Sequence, residues 1–364
     1  MIIQSTSAVI AGQLAGRTWI DVSENLIRSV NSGVHSAPDQ LIDGVLIPGF
    51  VDIHCHGGGG KYFSAATPGE IHSVIETHRG HGTTTLFASL VSEPIETLMA
   101  QIQRLRPFVE SGQIAGIHLE GPYLSHAKCG AHDPQLLVNP DLAEIKELLQ
   151  VAAGAISMIT IAPELPGAID AIKHLTAAGV TAALGHTDGN FGNAAAGTNA
   201  GATVVTHFMN AMDKGLNEHS FASFVIADER LTVELILDGH HVPFKTAKEI
   251  YAAVGDRLIF VSDAMAAAGC TDGDYTIGKL PVIVKDAVAR LQTNGSLAGS
   301  TLTMDVVFAN SIHELGLSIP EAVAATSTRA ALRMGLSDRG EIAVGKRADL
   351  LSYNADNKSI TLIN

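Results

Sequence analysis

The sequence predicts an α/β fold in which eight parallel strands and their connecting helices form a (β/α)8, TIM-like barrel. Eight apolar runs of strand length recur between residues 46 and 261, and they are continuous rather than alternating, which is typical of parallel strands covered on both faces. Helical patterns separate them, and this alternation favours a closed barrel over the alternative, a doubly wound open sheet. The runs are Leu46–Ile53, Thr83–Leu90, Ile114–Leu119, Ile156–Ala162, Val180–Leu184, Ala202–Thr206, Leu231–Leu237 and Leu258–Val261.

Two of the connecting helices carry recognisable start signals. Thr67-Pro68-Gly69-Glu70 resembles a helix cap with an early proline and leads into the helical pattern of residues 71–80. Asn139-Pro140-Asp141 precedes residues 142–151 in the same way. We therefore expect helices over both segments.

The two ends of the chain do not fit the barrel pattern. Residues 1–47 contain short β-like segments broken by glycines, and residues 340–364 have the same character. We expect the ends to pair into one small β domain, which gives an N-terminal part (1–47), a barrel (48–337) and a C-terminal part (338–364).

Composition excludes several function classes. The 364 residues include 23 Lys and Arg against 37 Asp and Glu, a net charge of −14 without a basic cluster, which argues against nucleic acid or an anionic membrane surface as partner. The three cysteines are widely spaced and do not form a disulfide framework, as expected in a reducing cytosol. The N-terminal residues lack a basic signal-peptide region, and no apolar run has spanning length, so we expect a cytoplasmic protein.

Ligand-type side chains follow the predicted strands at their carboxyl ends. The first run ends in His54 and His56, which share one face of a strand while Cys55 points to the other. Because the carboxyl ends of barrel strands converge on one face, four histidines and two carboxylates should meet there. The residues after the later strands are Glu120, His186, His207, Asp238 with His240 and His241, and Asp263.

These residue types predict a hydrolytic metal site. Glu120, His186 and His207 can hold one divalent ion with a water in the open position, and His54 with His56 can hold a second that Glu120 bridges. We expect one or two ions per subunit, zinc first, with iron or manganese as alternatives. Such an ion lowers the pKa of water towards ~7. Asp263 is the expected general base, and hydrolysis of an amide or related bond is the expected reaction.

Several other histidines receive simpler interpretations. His72, His78 and His81 lie on a predicted helix, and we expect them to be solvated surface residues. His240 and His241 are adjacent in the chain, so both cannot face the pocket.

The motifs resemble the amidohydrolase superfamily and, within it, the N-acetylglucosamine-6-phosphate deacetylase family. The resemblance extends from PGFVD (48–52) to GKRADL (345–350), and its most specific elements are HLEGP (118–122), GAHDP (130–134), GHT (185–187), NAM (210–212), DGHHV (238–242) and LAGS (297–300).

The resemblance implies a fold, a reaction and an assembly. The fold would be a distorted metal-dependent amidohydrolase barrel with a small β-sandwich formed by both termini. The reaction would remove acetate from the 2-acetamido group of an amino-sugar phosphate in amino-sugar catabolism or cell-wall recycling. The subunits would form a homodimer, in which a neighbour can complete the pocket.

The resemblance also implies individual roles. Metal ligands fall on Glu120, His186 and His207, the base falls on Asp263, and His54 and His56 match members that bind a second ion. The positions that contact substrate in the family correspond to His132, to His241 and to the backbone of Asn210 and Ala211. The two backbone positions lie on the phosphate side of the substrate.

The sequence departs from the family at one position. The family carries an arginine after Asn-Ala-Met that pairs with the sugar phosphate, whereas residues 213–220 contain no arginine. Lys214 or His219 could take its place, but neither can form the two parallel hydrogen bonds that an arginine makes to a phosphate. An N-acetyl amino sugar that is different or unphosphorylated is therefore an alternative substrate.

Two rival functions remain as alternatives. Cyclic-amide hydrolases of the dihydroorotase kind use a carboxylated lysine after the fourth strand, but residues 160–164 contain no lysine. A metal-free barrel that serves as an assembly partner would be expected to have lost a ligand or Asp263, and all are present.

Overall fold

The computed structural model describes residues 1–64 and 67–363. The strands are β1 (Ile2–Ile10), β2 (Gln13–Ala15), β3 (Thr18–Ser23), β4 (Leu26–Ser32), β5 (Gln40–Pro48), β6 (Phe50–Cys55), β7 (Gly57–Gly58), β8 (Lys61–Tyr62), β9 (Thr83–Leu90), β10 (Gly116–Glu120), β11 (Ile156–Ile161), β12 (Thr181–Leu184), β13 (Val204–Val205), β14 (Thr232–Ile236), β15 (Leu258–Val261), β16 (Gly273–Ile277), β17 (Leu280–Lys285), β18 (Val288–Leu291), β19 (Leu350–Asn354) and β20 (Ser359–Ile363). The α-helices are α1 (Pro68–Gly80), α2 (Ile95–Glu110), α3 (Leu142–Ala152), α4 (Ala168–Ala177), α5 (Phe191–Asn199), α6 (Phe221–Ala227), α7 (Phe244–Val254), α8 (Met304–His313), α9 (Ile319–Val323) and α10 (Arg329–Arg333).

Eight strands form the predicted barrel sheet in chain order, β6-β9-β10-β11-β12-β13-β14-β15. The pairs from β9 to β15 are parallel, and helices occupy the connections between strands. A bridge between Cys55 and Ala264 brings the ends of the first and last strands together, and the Asp263 amide donates to the His54 carbonyl at 2.9 Å. The sheet is thus a nearly closed barrel, which confirms the predicted fold class.

The first predicted run is divided between two sheets, so the single strand predicted over residues 46–53 is wrong. β5 ends at Pro48 in the sheet formed by the chain termini, and β6 starts the barrel at Phe50. Gly49 lies between them, where a Cβ would come within 2.1 Å of the Thr84 hydroxyl oxygen. The close approach of Thr84 therefore requires glycine at the point where the chain changes sheet.

The strands of the chain termini form a separate seven-stranded sheet, ordered β20-β19-β5-β1-β3-β4, with β2 paired to β1. It has its own apolar core, which confirms a β domain made from both ends of the chain: Ile3, Ala8, Ile20, Ile27, Ile42, Leu46, Ile342, Leu350 and Ile363. Residues 340–349 are irregular apart from a bridge between Leu26 and Arg347, so strand structure predicted there is wrong. Gly340 and Gly345 adopt positive φ and turn the chain.

The predicted helix starts at Thr67 and Asp141 are present. The Thr67 amide donates to the Glu70 carboxylate at 2.7 Å, and the Asp141 carboxylate accepts from the amides of Ala143 and Glu144. Within residues 1–64 and 67–363, no helix combines the length and apolar composition needed to cross a membrane.

A three-stranded antiparallel sheet, β16-β17-β18, follows the last barrel strand and was not predicted. Its buried side chains alternate along each strand, with Val282 and Val284 on β17 and Ala289 and Leu291 on β18 packed in one cluster. This alternation between residues 280 and 291 is the sequence signal that could have identified it.

The expectation that His72, His78 and His81 are solvated is wrong for His78 and only partly correct for His81. His78 is fully buried because it continues the apolar stripe of Ile71, Val74 and Ile75 at helical spacing. His81, just beyond the helix, is half-buried with Nδ1 at 2.9 Å from Asp305 Oδ2.

Replacing Asp305 by asparagine should lower the free energy of unfolding by about 0.2–1 kcal/mol, the range for an ion pair at the protein surface; both side chains here are partly buried. The hydrogen bond with Asp305 raises the pKa of His81, so the contribution of His81 is complete below ~6.5 and is lost as pH rises through its raised pKa. Burial raises the pKa of Asp305, but the hydrogen bonds with His81 and Thr303 have the larger effect and leave this pKa below its ordinary value. The contribution of Asp305 to the free energy of unfolding is therefore lost as pH falls below ~3.8 through its depressed pKa. Denaturant unfolding at pH 5.5 and 9 should show a smaller difference at pH 9, and an equal difference would contradict the pairing.

Candidate metal centre

Five barrel strands deliver six side chains to one cluster. His54 lies in β6 and His56 directly follows it, Glu120 is the last residue of β10, and His186, His207 and Asp263 each come two residues after their strands. All six side chains are buried, with residue exposures of 0–7%. The convergence follows from the parallel sheet, which places the carboxyl ends of its strands at one edge.

Local backbone geometry turns the last three of these side chains into the cluster. His186, His207 and Asp263 have φ values of 47°, 28° and 48°, in the left-handed region that residues other than glycine rarely adopt. Such conformations cost about 1–3 kcal/mol each and are concentrated at functional sites. The surrounding fold therefore stabilises these side-chain positions at the expense of backbone strain.

One group of ligand atoms joins Glu120, His186 and His207. Glu120 Oε1 lies 3.1 Å from His186 Nε2 and 2.8 Å from His207 Nε2, and the two nitrogens are 3.0 Å apart. His186 Nδ1 donates to the Lys128 carbonyl at 2.8 Å, so in the neutral ring Nε2 keeps its lone pair. The group thus directs an imidazole lone pair, a second ring nitrogen and a carboxylate oxygen at one point.

A second group joins His54 and His56 through the same glutamate. The two Nε2 atoms are 3.2 Å apart, and Glu120 Oε2 lies 3.1 Å from His56 Nε2. Glu120 Oε1 lies 3.6 Å from His54 Nε2. In each group the ligand atoms lie within 4.8 Å of one another, and Glu120 belongs to both, as a bridging carboxylate would.

Asp263 lies beside the second group as a carboxylate. Its Oδ1 is 3.3 Å from His56 Nε2 and 3.5 Å from His54 Nε2. Burial raises the pKa of Asp263, but the charge of His54 and the hydrogen bond from His56 lower it further, to about 2. At neutral pH this residue is in the form that can accept a proton.

The electrostatics of the cluster favour positive charge. Burial lowers the pKa of His54, yet the carboxylates of Glu120 and Asp263 raise it well above its ordinary value. A buried centre with imidazole nitrogens and carboxylate oxygens is the donor set that zinc, iron and manganese accept. The residues present therefore fit one or two divalent ions.

Five of the six side chains, all except His54, line a cavity of about 340 Å3, which is also lined by the predicted substrate-contacting residues. The Ser92 amide donates to His132 Nδ1 at 3.2 Å, so in the neutral ring His132 Nε2 carries the proton, 3.3 Å from Glu120 Oε2. Burial lowers the pKa of His132 to about 4, so this ring is neutral at pH 7. Further lining residues are Ala131, Asn210, Ala211, Lys214, His241, Ile277, Ser296, Leu297 and Gly299.

Only one of the two adjacent histidines faces this cavity. His241 lines the cavity, and its Nδ1 lies 2.7 Å from Asp238 Oδ2. His240 is exposed. The two residues considered for phosphate binding also differ. Lys214 lines the cavity, and His219 is exposed with 85% of its side chain accessible.

Sequence reasoning missed Glu234, which lies in the middle of β14. Its Oε2 is 3.1 Å from His54 Nδ1 and accepts from the His207 amide at 3.2 Å. The signal was a charged residue inside the apolar run of residues 231–237, since a buried glutamate is rare without a partner or a role.

Comparison with known proteins agrees with this geometry. Residues 45–362 match the amidohydrolase family. The chain is 31% identical to N-acetylgalactosamine-6-phosphate deacetylase from Escherichia coli O157:H7 over 93% of its length and 92% of the relative. It is 30% identical to N-acetylglucosamine-6-phosphate deacetylase from Vibrio furnissii over 94% of its length and 90% of the relative.

A solved structure is similar over the whole chain. It is a mutant of N-acetyl-D-glucosamine-6-phosphate deacetylase from Mycobacterium smegmatis in complex with N-acetyl-D-glucosamine-6-phosphate, with a TM-score of 0.96 and 39% identity. The match covers 100% of this chain and 97% of that one. The barrel topology, the ligand groups at its strand ends and these similarities agree, and the chain belongs to the amidohydrolase family.

Proposed function

We propose that the protein is a metal-dependent deacetylase that hydrolyses the 2-acetamido group of N-acetylglucosamine-6-phosphate to acetate and glucosamine-6-phosphate. The observation that carries this proposal is the convergence of two ligand groups on Glu120, with the carboxylate of Asp263 beside them in a cavity. The similarity of the chain to deacetylases of amino-sugar phosphates supports the substrate class.

The proposed ligands of the primary ion are Glu120, His186 and His207, and those of a second ion are His54 and His56 with Glu120 as the bridge. Zinc is the first candidate, with iron and manganese as alternatives. A bound ion would supply Lewis-acid polarisation of the acetamide carbonyl and a lowered pKa for the attacking water.

The proposed proton path runs through Asp263. Its carboxylate accepts a proton from the attacking water as the new C–O bond forms, and it returns the proton to the amine nitrogen as the C–N bond breaks. His132 and His241 contact the sugar, His132 as a neutral ring and His241 held through Asp238. Each turnover consumes one water and releases acetate.

The phosphate side of the cavity is assigned to the backbone of Asn210 and Ala211 and to the ammonium group of Lys214. Among the residues described, Lys214 is the cationic side chain that lines this cavity, in a protein with a net charge of −14. A lysine binds phosphate as a point charge, without the two parallel hydrogen bonds of an arginine.

Replacing Lys214 by alanine should raise KM for the phosphorylated sugar roughly 10-fold or more, because one charge-assisted hydrogen bond is lost. KM for unphosphorylated N-acetylglucosamine should change little. Steady-state kinetics on both sugars test this, with Lys245→Ala as a matched control on the exposed surface of α7. Equal effects on the two sugars would remove Lys214 from the phosphate site.

The substrate proposal is tested by acetate release from three sugars: N-acetylglucosamine-6-phosphate, its galacto epimer and free N-acetylglucosamine. Each is assayed with zinc, iron or manganese supplied. Because the relatives include deacetylases of both epimers, the ratio of kcat/KM between the two phosphates decides the epimer. No acetate from any of the three with any of the metals would contradict the proposed function.

The proposal also includes a cytoplasmic homodimer. The three cysteines, Cys55, Cys129 and Cys270, are widely spaced in the sequence and do not form a disulfide framework, which supports a reducing compartment. Light scattering during size-exclusion chromatography would test the dimer, and a single-subunit mass would contradict it.

A further inference from the structure

We propose that Glu234 is a positioning residue that orients both halves of the metal centre through one carboxylate oxygen. The inference rests on the proposed function only in that it requires a metal ion held by His54. It concerns the affinity for that ion rather than the identity of the sugar.

Glu234 reaches both ligand groups from the middle of β14. Its Oε2 lies 3.1 Å from His54 Nδ1 and accepts from the backbone amide of His207 at 3.2 Å. Glu234 is fully buried, and within the described residues its other oxygen, Oε1, has no hydrogen-bond partner. One side chain therefore contacts a residue of each proposed ligand group.

The contact with His54 sets the direction of the imidazole. A carboxylate can only accept, so His54 donates from Nδ1, and in the neutral ring the lone pair stays on Nε2. That Nε2 is the atom that faces His56, Glu120 and Asp263. Outer-shell carboxylates of this kind fix the tautomer and raise the basicity of a metal-binding histidine.

The contact with His207 acts on the backbone. His207 adopts φ 28°, a strained conformation for this residue, and its amide is satisfied by the Glu234 side chain rather than by a sheet partner. The next amide, of Phe208, donates to the Glu234 carbonyl at 2.8 Å. Glu234 thus holds the turn that aims His207 at Glu120.

The burial of Glu234 distinguishes this role from ordinary packing. Val233 and Leu235, its neighbours on β14, are buried apolar residues, and an apolar side chain at 234 would avoid the cost of desolvating a carboxylate. An unpaired buried oxygen is unfavourable unless the negative charge compensates positive charge nearby. A divalent ion held at His54 Nε2 would supply that positive charge.

The test is the affinity of the metal-stripped protein for Zn2+, measured by competition with a chromophoric chelator. The relevant ion is defined as the one that His54→Ala loses. Glu234→Ala should weaken its binding about 10–100-fold, the usual effect of removing an outer-shell partner. Glu234→Gln, which keeps an accepting oxygen but not the charge, should lie between Glu234→Ala and the unmodified protein.

Val233→Ala is the matched control for disturbing β14, because its side chain points to the opposite face of the strand. It should lower the melting temperature and leave the Zn2+ affinity unchanged. Unchanged affinity in Glu234→Ala, equal losses in Glu234→Ala and Val233→Ala, or no ion lost in His54→Ala would each overturn the proposal. Acetate release by the same samples separates the two proposals, since protein that binds Zn2+ but deacetylates no amino sugar contradicts only the proposed function.

Discussion

Replacing Asp263 by asparagine should leave the protein folded and able to bind metal but lower kcat roughly 10²-fold or more. Asp263 Oδ1 lies 3.3 Å from His56 Nε2, and its lowered pKa keeps it deprotonated at neutral pH, the form that a general base requires. The amide of asparagine has nearly the same shape but cannot take up that proton. Asparagine also tolerates the left-handed backbone at this position, where φ is 48°.

The measurement is kcat for acetate release, together with metal content and the melting temperature of the same preparation. Asp286→Asn is a matched control, because Asp286 has φ 52° and is exposed in the turn between β17 and β18. The control should show unchanged turnover. Near-normal kcat in Asp263→Asn with full metal content would remove Asp263 from the proton path.

The sequence was most informative where a strand ended in a residue that seldom follows an apolar run. Continuous apolar runs are typical of parallel strands, and a parallel barrel brings their ends together whatever the loops do. Glu120, His186 and His207 could therefore be placed in one cluster although 87 residues separate the first from the last. The parallel geometry of the sheet carried this prediction, rather than any contact near in sequence.

Other features depend on tertiary contacts that no local pattern reports. The break at Gly49 follows from the approach of Thr84, which lies 35 residues further along the chain by its number. Glu234 lies within an apolar run of the sequence, and its proposed role depends on His54 and His207, which only the folded barrel brings beside it. The burial of His78 is a third case. A histidine on the apolar face of a helix is compatible with both a buried and an exposed position, and only the packing of the helix decides between them.

Replacing His207 by alanine should cost the protein its primary metal ion and, with it, nearly all of its activity. The His207 Nε2 lies 2.8 Å from Glu120 Oε1 and 3.0 Å from His186 Nε2, so its loss leaves two of the three proposed ligands. We expect Zn2+ affinity to fall by more than the 10–100-fold typical of an outer-shell change. His186→Ala should behave alike, because His186 occupies the equivalent position in the same group.

Thermal unfolding gives a readout that does not depend on turnover. An ion present at about 1,000 times its Kd stabilises the folded state by about 4 kcal/mol, so Zn2+ should raise the melting temperature of the unmodified protein and raise that of His207→Ala far less. His207→Gly removes the same ligand but suits the φ of 28° better, so it separates loss of metal from a change in backbone strain. His72→Ala, on the exposed face of α1, should keep the full response to Zn2+. If His207→Ala and His207→Gly both retained a full complement of tightly bound metal, His207 would not be a ligand, and the ion would have to be held by the remaining side chains around Glu120.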